Sequence, residues 1–376
     1  MRRLQISLIF MLITFFRCSG EPDTYTVEII DGVRHMHNFA PLWGDEPGIK
    51  LEFVQKIGEL EGDDENYQLF TPLDLAVDKD GKIYILDVGN CRVQKYDKDG
   101  KYIATIGRRG QGPGEFNSVN AIFLDNESNI YVADYSENVI HILTNEGRYL
   151  NRIRTGAYFF NPYFDENSGL KYFVTHRRLD SERPFIEIFD QDQNLVAGFG
   201  ERKELKYIDS PAFQSNFNHF SPVTDKNGNI YITFDYQNRI EKFSPVGEML
   251  LKISRELGFE ESEDVEKIPY TREDGRQSNF SKANEFSSAI QVDGKGRIWL
   301  RTKIKQYDLD NYLNRDNLKE TFFKFEVFDP EGVLLGYIDN EHLNQGYFFK
   351  IFDDRLFIIN PSIEMAVFEY RIVEKQ

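Results

Sequence analysis

Apolar and polar positions alternate along this chain in short bursts that return. Leu75 to Asp87 reads LAVDKDGKIYILD and Ile122 to Asp134 reads IFLDNESNIYVAD, with Asp87 and Asp134 closing the two copies at matching places. Val223 to Phe234 (VTDKNGNIYITF) and Ile290 to Leu300 (IQVDGKGRIWL) are weaker copies. Each holds an apolar run, an Asp, a turn carrying Gly or Asn, and a second alternating run with an aromatic residue. That pattern predicts a β-hairpin, because Asp, Asn and Gly adopt the backbone angles a tight turn needs. Two more apolar runs follow each hairpin. After the first copy they are Asn90 to Asp97 and Tyr102 to Gly107, separated by a turn at Lys98-Asp99-Gly100.

Two weaker units complete the series. Leu170 to Thr175 with Pro184 to Phe199 fills the gap between the second and third copies, and Tyr347 to Val373 supplies three strands only. The missing strand is found near the start: Leu51 to Gly58 (LEFVQKIG) resembles Lys101 to Gly107 (KYIATIG). Four short antiparallel strands per unit of about fifty residues predict propeller blades. The expected fold is therefore all-β: a six-bladed β-propeller with four-stranded antiparallel blades, its ring closed by residues 51–58. The expected organisation is a signal peptide at 1–17, an arm at 18–50 and the propeller at 51–376.

Gly110-Gln111-Gly112-Pro113-Gly114-Glu115-Phe116, then Asp125 and Asn129 to Asp134, together with Asn90-x-Arg92-Val93-Gln94, resemble the repeats of the NHL family of β-propellers. From about residue 51 onward the chain also resembles six-bladed propellers of bacterial envelopes. The resemblance implies a fold and little chemistry, since propellers host binders and unrelated enzymes alike.

With 40% apolar and 14% aromatic residues among 376, the chain has material for a large core. Its net charge of −17 lacks the basic face that releases phosphate counterions, so nucleic acid is not an expected partner. Arg2 and Arg3 precede an apolar run from Ile6 to Phe16, too short for a bilayer and suited to a signal-peptide core. Cys18 follows directly, with Ser19-Gly20 behind it, which resembles a bacterial lipoprotein signal. The resemblance implies export to the cell envelope, lipidation of Cys18, and membrane attachment through that lipid alone. Cys91 is the only other cysteine, which excludes a cysteine-based zinc site.

The candidate chemistry is sparse. Gly107 to Phe116 lacks the Lys-Ser or Lys-Thr of a phosphate loop and reads as a crossover between blades. Asp87, Asn90 and Arg92 read as a turn, and so do Asp78, Asp125, Asp225 and Asp293 just before the hairpins. His35 and His37 share a face of an extended segment without a third ligand nearby. The residues preceding the inner strands are more interesting, because a propeller crowds them at the mouth of its central channel. They are Asp74, Asn120, His219 and Glu285, with Asn161 and Tyr163 from the weaker unit. Sugar-lactonase-like propellers hold a divalent metal there with a Glu, an Asn and an Asp, and such oxygen ligands suit calcium or magnesium. No other cofactor is expected. Arg255 to Asn284 and Gln306 to Lys319 interrupt the repeat as polar insertions, and long loops on a rigid scaffold concentrate binding residues. The leading expectation is a non-catalytic binding module presenting one face to a protein, peptide or glycan. The alternative is a metal-dependent lactonase-like hydrolase or lyase working at the channel mouth.

Overall fold

The structure is a computed structural model describing residues 24–155, 160–165, 169–175, 184, 186–203, 217–262, 266–272, 274–306, 308–313, 322–343 and 348–375. The expected signal peptide and Cys18 lie outside the described residues. The chain opens with a hairpin, β1 (Tyr25–Ile30) and β2 (Val33–Asn38), followed by β3 (Ile49–Ile57). Blade one is β4 (Pro72–Val77), β5 (Ile83–Asp87), β6 (Arg92–Tyr96) and β7 (Tyr102–Ile106). Blade two is β8 (Val119–Leu124), β9 (Ile130–Asp134), β10 (Val139–Leu143) and β11 (Tyr149–Arg154). Blade three is β12 (Phe160–Asp165), β13 (Gly169–Thr175), β14 (Ile186–Asp190) and β15 (Leu195–Phe199). Blade four is β16 (Phe220–Thr224), β17 (Ile230–Phe234), β18 (Ile240–Phe243) and β19 (Met249–Arg255). A separate hairpin, β20 (Glu266–Thr271) and β21 (Gln277–Lys282), precedes blade five: β22 (Ser287–Val292), β23 (Ile298–Lys303), β24 (Phe323–Phe328) and β25 (Leu334–Ile338). Blade six is β26 (Phe348–Phe352), β27 (Arg355–Asn360) and β28 (Ala366–Glu374), completed by β3. A short helix, α1 (Leu309–Leu313), falls inside the second insertion, which lies partly outside the described residues. No helix among the described residues is long and apolar enough to cross a membrane.

The ring closes as the sequence implies. β3 runs antiparallel to β28, with Ile57 opposite Val367 and Ile49 opposite Glu374. It begins at Ile49, two residues earlier than the repeat suggests. The expected arm holds structure of its own. β2 pairs in parallel with β19, placing β1 and β2 on the outer edge of blade four as a six-stranded sheet. The turn between them uses Asp31 and Gly32, both left-handed at φ 51° and 83°. Two such angles match the twist of a tight hairpin, and Asp-Gly is the sequence that supplies them.

Alternation explains the packing. Along β5, Ile83 and Ile85 join the apolar cluster shared with blade six, while Tyr84 and Leu86 join the cluster shared with blade two. Along β23, Ile298 and Leu300 face blade four and Trp299 faces blade six. The core is thus a set of wedges, one at each seam between neighbouring blades. Met36 of β2 is fully buried and extends the wedge between blades four and five.

A single turn design recurs. Asp125 Oδ1 accepts the N–H groups of Glu127 and Asn129 at 2.9 and 2.8 Å, and Oδ2 accepts the Tyr131 hydroxyl at 3.2 Å. Asp78 and Asp225 repeat the arrangement with Tyr84 and Tyr231 at 3.2 and 3.3 Å, and Asp293 repeats it with Trp299 Nε1 at 3.0 Å. Gly81, Gly228 and Gly296 take the left-handed residue of this turn, and Ser128 takes it at φ 62° in blade two. The carboxylate therefore shapes the turn and tethers the aromatic residue of the next strand. Burial, reinforced by the Asp125 charge, pushes the Tyr131 phenol up to about 12. Asp125→Ala strips partners from backbone and phenol alike. It should cost about 2–3 kcal/mol in denaturant unfolding, and Asp125→Asn, which keeps one acceptor oxygen, should cost less.

Candidate functional site

Registration of the blades against one another shows where the repeat changes. The backbone N–H groups of Val88, Tyr135, Asp235 and Lys303 donate to the carbonyls of Thr71, Ser118, His219 and Phe286 at 3.3, 3.1, 3.1 and 2.8 Å. Those four donors therefore occupy one position of the repeat, at or just past the end of the second strand. One residue earlier, blades one and two carry the buried carboxylates Asp87 and Asp134. Asp87 accepts the Phe70 N–H at 2.7 Å and the Asn90 and Arg92 side chains, each at 2.8 Å. Asp134 accepts the Asn117 and Ser118 N–H groups at 2.7 and 3.1 Å. These carboxylates fix the loop leading into the inner strand, which is the turn role expected of Asp87, Asn90 and Arg92.

Blades four and five abandon that arrangement. Phe234 and Thr302 replace the structural carboxylate, and the following position holds Asp235 and Lys303 in place of Val88 and Tyr135. In blade five Gln306 takes over the fixing role. Its Oε1 accepts the Glu285 N–H at 3.0 Å and its Nε2 donates to the Glu285 carbonyl at 2.8 Å. The exchange brings a titratable group from each of four chain segments to the seam. His219 Nδ1 lies 2.9 Å from Asp235 Oδ2, with the imidazole 63% exposed and the carboxylate 25% exposed. Lys303 Nζ donates to Glu285 Oε2 at 2.6 Å, with the lysine side chain 3% exposed and the glutamate 42% exposed. The Phe286 N–H donates to the Asp235 carbonyl at 2.6 Å, stitching the two blades together beneath these groups.

Electrostatics mark the same place. Burial raises the Asp235 carboxyl above its ordinary range; His219 opposes the shift, the Glu285 charge adds to it and Arg301 counters it. Oδ1 of Asp235 is buried without a hydrogen-bond partner among the described residues. Burial also lowers the Lys303 ammonium, against the pull of Glu285. A deeper ion pair stiffens the seam: Arg255 of β19 meets Glu326 of β24 at 2.7 Å, both fully buried, and Thr302 donates to the same glutamate oxygen at 2.7 Å. Above the seam stands the first insertion. Asn284 donates to Ser262 Oγ and to the Glu260 carbonyl, each at 2.9 Å, and Glu261 accepts the Asn238 N–H at 2.7 Å and pairs with Lys203. β20 and β21 follow this root, pairing with each other and, among the described residues, with no blade. A cavity of about 250 Å³ opens beneath the root, lined by Leu257, Phe259, Ile304 and Tyr337 among others.

The four expected channel residues divide into two places. His219 and Glu285 meet at this seam, each held by a partner the sequence reading missed. Asp74 and Asn120 lie inside β4 and β8, on blades one and two. Asp74 Oδ1 takes the Leu75 N–H at 2.9 Å and Lys350 Nζ at 3.0 Å, and Oδ2 takes the Ile122 N–H at 3.0 Å, so it clamps three blades. Oδ1 of Asn120 is buried without a hydrogen-bond partner among the described residues. No group of three His, Cys, Asp or Glu side chains gathers among the described residues as a metal site. With both Asp74 oxygens engaged and Glu285 neutralised by a buried lysine, these residues do not fit a calcium or magnesium ion as they stand. Asn161 and Tyr163 fall on β12, and nothing of their side chains is described. His35 and His37 share the β2 face with rings 6.5 Å apart, and His37 Nδ1 lies 2.7 Å from Ser254 Oγ. Asp235 and Lys303 were findable, since aligning IYILDV, IYVADY, IYITFD and IWLRTK exposes both in the last column.

A profile of the family described as 6-bladed beta-propeller matches residues 59–295. The chain is similar to a solved candidate exported protein from Bacteroides fragilis, with 12% identity over 91% of this chain and 100% of that one, at a TM-score of 0.56. It is similar to a DUF4221 family member from Bacteroides vulgatus, with 10% identity over 88% and 100% of the two chains, at 0.59. A virginiamycin B lyase from Staphylococcus aureus, with 12% identity over 86% and 100%, reaches only 0.45 and is too distant to carry an argument. No curated protein matches the chain. At these identities the structural likeness is one of fold alone.

The Asp235 shift sets a pH dependence. A carboxyl raised above its ordinary value of 3.8 contributes its full stability below that pH, and the contribution is lost as pH rises through the folded value. Asp235→Asn, which cannot ionise, should therefore raise Tm at neutral pH. The gain should shrink to nothing as pH falls below 3.8 in thermal scans.

Proposed function

The chain belongs to the DUF5128 family of 6-bladed beta-propellers, whose profile covers more than half of it, and from that premise we propose that it is an exported, non-catalytic binding module. It holds a protein, peptide or glycan partner at the mouth between blades four and five. One observation carries the reading: at this seam two neighbouring blades give up the carboxylate that fixes their loops and present a His–Asp and a Lys–Glu pair instead. A position that breaks a local rule of the fold without stabilising it is where function is expected. Donors and acceptors alternate across the two pairs, which suits hydrogen bonding to a polar chain. The β20–β21 hairpin supplies a second wall. Export is supported by Arg2, Arg3 and the apolar run before Cys18, and lipidation of that cysteine would tether the ring to a membrane while leaving its face open.

The test is selection from displayed peptides and from a glycan array, using the mature chain. The native protein should retain specific ligands unaltered. The double variant His219→Ala, Lys303→Met and a chain with residues 266–282 replaced by a short Gly-Ser linker should each lose at least one of them, with about a tenfold or greater weakening. Retention of every ligand by both variants would overturn the reading. Calcium or magnesium added to metal-stripped protein should leave Tm unchanged, since a ligand of the native state raises it by mass action. A rise that disappears in Asp74→Ala and Glu285→Ala would instead favour a metal-dependent hydrolase or lyase.

A further inference from the structure

A groove of about 770 Å³ runs along the circumference of the ring between the outer edges of blades five and six, sharing Lys324 and Tyr337 with the cavity beneath the insertion root. β3 forms one wall, the end of β25 with residues 339–341 forms the other, and Pro41 to Pro47 make the lip. The lip is fixed in place. The N–H groups of Leu42 and Trp43 donate to the carbonyls of Leu334 and Leu335 at 3.0 and 2.7 Å. The Trp43 ring lies on Gly336, where an added Cβ would stand 2.6 Å from it. The groove is therefore preformed, with a volume in the range of small-ligand sites.

Its lining has a distinct character. Phe53 is 59% exposed, a costly position for an aromatic ring in water, and its ring meets Tyr370 edge-on at 5.7 Å. Tyr370 is itself immobilised, with its hydroxyl 2.5 Å from His342 Nδ1. The lining carries three acids, Asp45, Asp339 and Glu341, and three lysines, Lys50, Lys324 and Lys375; Lys324 lies 3.4 Å from Asp339, and Lys50 pairs with Glu52. In a chain of net charge −17, so even a balance gives the groove no preference for an ion of either sign. What remains is an aromatic face beside many hydrogen-bonding groups. A pyranose ring complements such a surface, with C–H groups on one face and hydroxyls round its edge.

We propose that this rim groove binds a short neutral oligosaccharide, with Phe53 as the stacking platform and the Asp339 to Glu341 segment as the hydrogen-bonding wall. Its stacking platform on β3 is separate from the His219–Asp235 and Lys303–Glu285 pairs between blades four and five.

The experiment is calorimetric titration of the mature chain with neutral tri- to pentasaccharides of glucose, xylose, mannose and galactose, beside oligogalacturonate and an unrelated extended peptide. At least one neutral sugar should bind saturably. Phe53→Ala should weaken it about tenfold or more, Phe53→Trp should retain it, and the His219→Ala, Lys303→Met variant should bind as the native chain does. Phe53 lies at the surface, so an unchanged Tm in Phe53→Ala separates lost binding from lost folding. Absence of neutral-sugar binding at millimolar concentration, indifference to Phe53→Ala, or preference for the acidic sugar or the peptide would each overturn the proposal.

Discussion

Every blade is apolar on both faces, and that constraint governs the molecule. A sheet with one solvated face could stand alone, but β5 and β23 are buried along their whole length. Each blade needs a neighbour on either side, at roughly 25 cal/mol for every Å² of apolar surface hidden. A row of such sheets would always end in two sticky faces. Only a ring has none, and only the return of β3 to β28 makes the ring. The Asp-anchored turns serve the same end, since each holds at its correct height an aromatic or indole ring that fills a seam.

The same economy explains why the mouth between blades four and five stands out. A repeat imposes one solution at every equivalent position, and Asp87 and Asp134 show what that solution is. Phe234 and Thr302 are departures that leave the loops to be held by other means, such as the reciprocal Gln306 amide. The released positions carry groups that burial disfavours in their charged forms, which is a local cost to folding. The buried Arg255–Glu326 pair below them keeps the two blades in register while the surface above is given over to polar chemistry.

Fold and site were unequally legible in the sequence. The turn residues and the period-two runs act locally, so Asp78, Asp125, Asp225 and Asp293 announce their hairpins within a dozen residues. Even the displaced closing strand left a trace, because LEFVQKIG must obey the same alternation as KYIATIG. The β1–β2 hairpin also carried its signal, Asp31-Gly32, but its docking against β19 depends on Met36 fitting a seam that no local pattern reveals. The site was half visible. His219 and Glu285 follow from position along the chain, whereas Asp74 has the right chemistry and a different task. Its separation from them is set by which blades share a seam, a property of the ring and not of the spacing.

The path of the first described residues has a temporal meaning. β2 lies against blade four, the lip crosses blade five, and β3 completes blade six, so a segment from the start of the chain rests on strands made in its second half. None of these partners exists while the early blades are being synthesised. Contacts so distant along the chain close slowly, because loop closure must precede any reward. A ring built this way cannot lock before its last strand has emerged, so its closure is the final event of folding and not its start.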